Sequence, residues 1–169
     1  MIEQLFLKFS ADKLDQLRNR IHDCVGRLDE YQIWLRHADS ENAVGNLVLH
    51  LAGNVRQWIG YGVGGQADIR QRDTEFAARG GRSKAELLAR LDESVDNAVV
   101  IIRDLAHDEL NREATIQKYT VTIMEAIYHV IEHFSQHTGQ IIFATKLLSG
   151  EDLGYYKHLT QPAHKEVTP

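Results

Sequence analysis

The amino-acid sequence of 169 residues predicts an all-α protein, a four-helix bundle with a long loop between helices 2 and 3. Apolar residues recur at spacings of three and four along four long segments, which is typical of helices that bury one face. The two prolines of the chain, Pro162 and Pro169, lie near its end, so no proline interrupts an earlier helix. We find no convincing β-hairpin between these segments, and helices packed against helices are therefore the expected architecture.

The first two helices are predicted from the spacing of their apolar residues. Apolar residues recur at helical spacing from Leu5 to Leu28, and residues 29–42 then break this rhythm. The pattern resumes from Ala43 to Gly60, which is the predicted second helix. His50 lies on the flank of its apolar side, where a polar side chain would otherwise avoid the core.

The last two helices each begin with a capping box, in which a hydroxyl side chain and a glutamate three residues later satisfy the first amides. The motif S-K-A-E begins the third helix at Ser83, and the apolar spacing extends it to Leu105. The motif T-I-M-E begins the fourth helix at Thr122. This helix is predicted to reach about Leu148, because Gly150 supplies a left-handed stop.

The segment between the second and third helices, residues 60–81, has glycines near both ends and charged residues between them. It is predicted to be a long ordered loop, and loops of this length usually serve a site. Two interpretations of its arginines, Arg70 and Arg72, remain open. They can hold a substrate carboxylate by bidentate hydrogen bonds, or they can pair with Asp68 and Asp73 and rigidify the loop.

Composition excludes several classes of protein. The chain has 24 acidic and 19 basic residues, a net charge of -5 and no long run of Lys or Arg, which disfavours nucleic acid as a partner. It has neither the apolar segment of a signal peptide nor a run of membrane-spanning length, so we expect a cytoplasmic protein without a membrane partner. The single cysteine, Cys24, is expected to pack in the core. We expect one domain at residues 1–160 and a C-terminal tail at 161–169.

Three histidines, His129, His133 and His137, follow one another at intervals of four on the fourth helix. Side chains four apart are about 6 Å from each other and can share a metal ion, whereas side chains eight apart are separated by about 12 Å. The site would therefore use His133 with one of its two neighbours. An open, zinc-like site needs a third ligand from another helix, and His50 is the candidate. The alternative is that these histidines are ordinary surface or core residues.

The stretches NLVLHLAGNVRQWI, GVGGQADIRQRDTEF and AIYHVIEHFSQHTGQIIFATKLL resemble the DinB/YfiT-like superfamily of metal-binding four-helix bundles, in particular a subfamily of unassigned function. The resemblance covers nearly the whole chain, and the phrase H-x-x-x-H-x-G-Q is its most specific element. It implies one divalent metal ion (zinc, nickel, iron or manganese) held by His50, His133 and His137. His129 and Gln140 would then lie beside these ligands or in the wall of the pocket.

The resemblance also implies a reaction class, because characterised branches of the superfamily are thiol-dependent S-transferases and isomerases. The first expectation is a metal-dependent thiol S-transferase with a low-molecular-weight thiol as cosubstrate and a small-molecule substrate. A metal-dependent hydrolase and a non-catalytic metal-binding bundle are the alternatives, and a homodimer is expected in each case. Arg56 and Trp58, one or two turns after His50, are further candidates for the pocket. A fourth ligand from Cys24 would instead close the site and make the metal structural.

Overall fold

Four long helices form a bundle in a computed structural model that describes residues 1–160. The helices are, in chain order, α1 (Ile2–Arg27), α2 (Val44–Val55), the short α3 (Arg72–Ala77), α4 (Lys84–Asp104) and α5 (Ile123–Ser149). Short 3₁₀ turns occur at Gln32–Trp34, His107–Asn111 and Lys157–Thr160. Both α1 and α2 pack against α4 and α5, which confirms the predicted all-α bundle. The predicted tail, residues 161–169, lies outside the described residues.

The predicted helix ends at Ser83, Thr122 and Gly150 are confirmed. The Ser83 hydroxyl accepts a hydrogen bond from the backbone N–H of Glu86 at 3.3 Å, and the Thr122 hydroxyl accepts one from the N–H of Glu125 at 3.2 Å. Each glutamate in turn accepts the N–H of its capping residue at 2.7 Å. Gly150 ends α5 with φ of 70°, a left-handed conformation that glycine adopts without strain.

Apolar residues from all four long helices fill the centre of the bundle. Leu14 and Ile21 of α1, Leu51 of α2, Leu91 of α4 and Phe134 of α5 are fully buried, and each such side chain contributes about 1.5–3 kcal/mol. Cys24 is also fully buried, with its sulfur 3.3 Å from the hydroxyl of Tyr155. Cys24 is therefore a packing residue, as expected. No helix within residues 1–160 has the length and apolar character needed to cross a membrane.

The prediction that residues 60–81 form a long ordered loop is partly wrong, because parts of this segment are helical. The chain continues from α2 as a π-helix, Arg56–Val63, and later forms α3. Gly60, Gly62 and Gly64 make room for other side chains, whereas Gly65, with φ of 69°, follows the end of the π-helix. A Cβ atom on Gly62 would lie 2.1 Å from Cδ1 of Ile116, so the missing side chain allows Ile116 to pack directly on the π-helix.

The expectation that no β-hairpin occurs is also wrong. Strands β1 (Glu113–Ile116) and β2 (Tyr119–Thr122) pair in antiparallel fashion, with Ile116 opposite Tyr119, and β2 leads directly into α5. The two turn residues, Gln117 and Lys118, have φ of 50° and 70°. Such turns usually contain Asn-Gly or Asp-Gly, and the pattern that would identify this hairpin is missing from the sequence.

Candidate metal site

Three histidines from two helices converge where α2 packs against α5. Nitrogen atoms of His50, His133 and His137 all lie within 4.8 Å of one another, and Nε2 of His50 is 3.1 Å from Nε2 of His133. His129 is not in this cluster. Its ring stacks on Trp58 at a centroid distance of 4.1 Å, whereas the ring of His133 is 5.7 Å away. Of the two pairings that the spacing left open, the structure places His133 and His137 beside His50.

The ring of His50 is held from behind by Glu75, whose Oε2 lies 3.1 Å from Nδ1. Burial raises the pKa of Glu75, but hydrogen bonds from Arg70 and His50 outweigh burial and hold this pKa below its usual value. The ionised carboxylate accepts hydrogen bonds and donates none, so its contact with His50 is a hydrogen bond when the ring proton is on Nδ1. In that tautomer Nε2 has a free lone pair that faces His133.

The ring of His137 is oriented in the same way by Gln140. The side-chain oxygen of Gln140 lies 2.7 Å from Nδ1 of His137, so this nitrogen donates and Nε2 remains free to bind a cation. Nδ1 of His133 is buried, and no hydrogen-bond partner for it exists among the described residues. In these tautomers His50 and His137 each have a free lone pair on Nε2. His133 also approaches His50 with its Nε2 atom.

The electrostatics of this cluster fit a metal ion. Burial and the neighbouring His137 and His50 lower the pKa of His133 to about 3, and burial also lowers the pKa of His137. Both rings are therefore neutral near pH 7, which is the form that binds metals. Two nitrogen lone pairs 3.1 Å apart repel each other unless a proton or a cation lies between them. Two nitrogens on one tetrahedral zinc ion would be about 3.3 Å apart, close to this distance.

A cavity of about 710 Å³ opens beside the histidines, within the usual size of small-molecule sites. Its walls come from α2, the π-helix, the loop before α3, α3 itself, α5 and the hairpin. They include His50, Asn54, Trp58, Arg70, Arg72, Phe76, Gln117, Tyr119, Val121, Glu125, His129, His133 and His137. Arg56, a predicted pocket residue, is not among the described residues that line this cavity. The hairpin residues were missed in the sequence because the hairpin itself was missed.

The two loop arginines have different surroundings. The guanidinium of Arg70 donates to both oxygens of Glu75, at 2.9 and 2.8 Å, and to the side-chain oxygen of Gln57 at 3.0 Å. Of the two interpretations left open for Arg70, pairing within the segment is the one observed, but the partner is Glu75 and not Asp68, which accepts the backbone N–H of Arg70. Arg72 is exposed, and its guanidinium lies 4.8 Å from the ring centre of Phe76.

Glu75 is a further site residue that was not predicted from the sequence. It reaches His50 because α3 is fastened to α2 through backbone oxygens. The buried side chain of Asn46 donates to the carbonyl of Glu75 at 2.8 Å and to that of Ala78 at 3.0 Å, and Arg36 donates to the same Ala78 carbonyl at 2.8 Å. A metal-ligating histidine usually donates a hydrogen bond from its second ring nitrogen. A search of the sequence for an acceptor for His50 could therefore have suggested Glu75.

Comparison with known proteins confirms the resemblance. Residues 1–165 match the family DUF1572, described as proteins of unknown function. The solved structure of a conserved protein from Enterococcus faecalis is similar with a TM-score of 0.70 and 16% identity, over 85% of this chain and 97% of that chain. A DinB-like protein of Bacillus subtilis, YjoA, is similar with a TM-score of 0.66 and 17% identity, over 87% and 96%. These identities are low, so the two likenesses show the fold alone. Comparison with curated proteins gave no match.

Proposed function

Since the chain belongs to the DUF1572 family and has a DinB-like fold, we propose that it is a metal-dependent enzyme that transfers a low-molecular-weight thiol to a small electrophile. The observation that carries this proposal is the cluster of His50, His133 and His137 at the wall of a cavity of about 710 Å³. Three histidine ligands leave a coordination position free for a substrate. Among the described residues, Cys24 is not part of the cluster, which speaks against a closed structural site.

The three histidines would hold one divalent ion, and zinc, nickel, iron and manganese all accept imidazole ligands. When bound, such an ion supplies a Lewis acid that ionises a coordinated thiol near neutral pH. Glu75 and Gln140 keep the proton of His50 and of His137 on Nδ1 and so hold both rings with Nε2 free. The aromatic rings of Trp58 and Phe76 give the cavity an apolar surface for the electrophile.

The state of the carboxylates favours a thiol over water as the nucleophile. Glu125 lines the cavity, but its Oε2 accepts the N–H and the hydroxyl of Thr122 at 2.7 and 2.8 Å. Glu75 is engaged by Arg70. A thiol ionises near pH 8.5, so it needs less help from a base than water does, whose pKa is about 15.7. The exposed Arg72 in the cavity wall suits a carboxylate of the thiol.

Hydrolysis is the second candidate, and it would use His129 as the base. Burial lowers the pKa of His129, so its ring is neutral in the cavity wall and can accept a proton from water as well as from a thiol. We also propose a homodimer, on the basis of the superfamily resemblance, and sedimentation velocity of the purified protein tests it.

Titration of cobalt-loaded protein with N-acetylcysteine tests the thiol proposal. We expect a saturable sulfur-to-cobalt charge-transfer band in the near ultraviolet, because a thiolate would occupy the free position. The S-methylated compound serves as the matched control and should give no band, since its sulfur cannot ionise. If cobalt binds but the thiol produces no band at any concentration, the transferase proposal is wrong, and ester hydrolysis by the same loaded protein becomes the test of the second candidate.

A further inference from the structure

We propose that Glu75 and Arg70 are positioning residues of the metal site. Glu75 fixes His50 in the tautomer that leaves Nε2 free, and Arg70 fixes the carboxylate of Glu75. The inference rests on the proposed function for the metal itself, but the tautomer of His50 is a property of the metal-free chain. It deepens the proposal by assigning a role in the site to the segment between α2 and α4.

The three side chains form one buried chain of hydrogen bonds. Their exposed fractions are 6% for His50, 10% for Glu75 and 4% for Arg70. Charged side chains are almost never buried to this degree unless they are paired. Nη2 of Arg70 lies 3.1 Å from Nδ1 of His50 and 2.8 Å from Oε2 of Glu75. An arginine only donates, so with the proton of His50 on Nδ1 the carboxylate is the acceptor that both groups share, whereas with the proton on Nε2 the Nδ1 atom would accept from Arg70.

The ion pair with Arg70 determines the role of the Glu75 carboxylate. Arg70 bonds to both carboxylate oxygens, and this double contact holds the carboxylate behind the ring of His50. The carboxylate therefore acts as an acceptor for Nδ1–H and does not compete with the histidines for a cation. Because the Glu75–Arg70 pair has no net charge, it adds no anionic ligand to the three histidines.

A glycine on α2 makes this approach possible. A Cβ atom on Gly53 would lie 2.0 Å from Oε1 of Glu75 and 3.1 Å from Nε of Arg70. Gly53 follows His50 by three residues and so lies on the same side of the helix. Any side chain at this position would push the carboxylate away from His50. The packing therefore provides a second, independent way to break the same contact.

The test measures the ring nitrogens of the metal-free protein by long-range ¹H–¹⁵N NMR, with the His50 signals assigned by their loss in His50→Gln. The wild type should show His50 protonated at Nδ1. In Glu75→Ala the proton should move largely to Nε2, and the zinc affinity, measured by chelator competition, should fall about 10–100-fold. Gly53→Ala should shift the tautomer and the affinity in the same direction although every polar group is retained. Arg70→Lys should weaken zinc binding while the tautomer stays.

Two matched variants control for general damage. Asp73→Asn changes an exposed carboxylate in the same short helix, and Gly26→Ala adds a methyl group in α1 where no atom lies within 4 Å. Both should keep the tautomer and the affinity of the wild type. A wild-type His50 protonated at Nε2, or folded Glu75→Ala and Gly53→Ala proteins with unchanged tautomer and affinity, would overturn the inference. Absence of zinc binding in the wild type would overturn the proposed function instead, and the tautomer would still decide the role of Glu75.

Discussion

Replacing Ile116 with alanine is expected to detach the β-hairpin from the bundle and to open one wall of the cavity. Ile116 is fully buried, and its side chain fills the space that the missing side chain of Gly62 leaves on the π-helix. Gln117, Tyr119 and Val121, which line the cavity, follow directly in the hairpin. Ile116 is thus the fully buried apolar contact that joins the hairpin to the π-helix, beside a hydrogen bond from Gln117 to Gln57.

The size of the effect follows from burial. The substitution Ile116→Ala removes three buried carbon atoms, and at about 0.8 kcal/mol for each the transfer loss is roughly 2.4 kcal/mol. The cavity left behind adds to this, so we expect a loss of about 2–5 kcal/mol in the free energy of unfolding. A two-stranded hairpin is marginally stable by itself, so its backbone amides should lose protection well before the bundle unfolds.

Urea denaturation followed by circular dichroism measures the first quantity, and hydrogen exchange of the amides in residues 113–122 measures the second. Ile116→Val should cost about 0.5–1.5 kcal/mol. Ile69→Ala, at a position that is 57% exposed, should change the stability by less than about 0.5 kcal/mol. The reasoning from this contact is refuted if the free energy of unfolding of Ile116→Ala lies within about 0.5 kcal/mol of the wild-type value and its hairpin amides exchange at the wild-type rate.

Three further predictions concern a helix cap, pH and metal. Thr122→Ala should lower the free energy of unfolding by about 1 kcal/mol, because the first turn of α5 loses the hydroxyl that accepts the Glu125 amide; an unchanged urea midpoint would contradict this. The pKa of His133 falls from 6.5 to about 3 in the folded, metal-free protein, so the unfolded chain binds an extra proton between these values. The free energy of unfolding therefore loses nothing from His133 above pH 6.5 and decreases as the pH falls from 6.5 towards 3. In His133→Gln this decrease should be smaller, as measured by urea titrations at a series of acidic pH values. Zinc at one hundred times its dissociation constant should stabilise the protein by about 2.7 kcal/mol, measured as a shift of the urea midpoint, and equal stabilisation of His50→Gln would contradict the site.

The parts of the fold that depend on local interactions could be predicted from the sequence. The caps at Ser83 and Thr122 are contacts over three residues, and Gly150 acts through its own backbone, so each is visible as a short motif. Helical geometry likewise predicts that His133 and His137, four residues apart, can share an ion. The polar His50 in the middle of an apolar helix suggested the third ligand.

The parts that depend on distant contacts could not be predicted. Glu75 reaches His50 only because Asn46 fastens α3 to α2, and Gly53 leaves space for the carboxylate. These contacts join residues that lie 25 and 29 positions apart, and no local pattern reports them. The hairpin turn uses Gln117 with a positive φ, which a glycine-based turn rule does not detect.

Metal content tests the central claim most directly. Protein purified without a metal-affinity column should contain about one divalent ion per chain by mass spectrometry. His133→Ala should lose this ion, because His133 is one of the three clustered histidines, whereas His107→Ala, at an exposed position, should retain it. Wild-type protein without metal even after reloading, or equal metal in the wild type and His133→Ala, would contradict the three-histidine site.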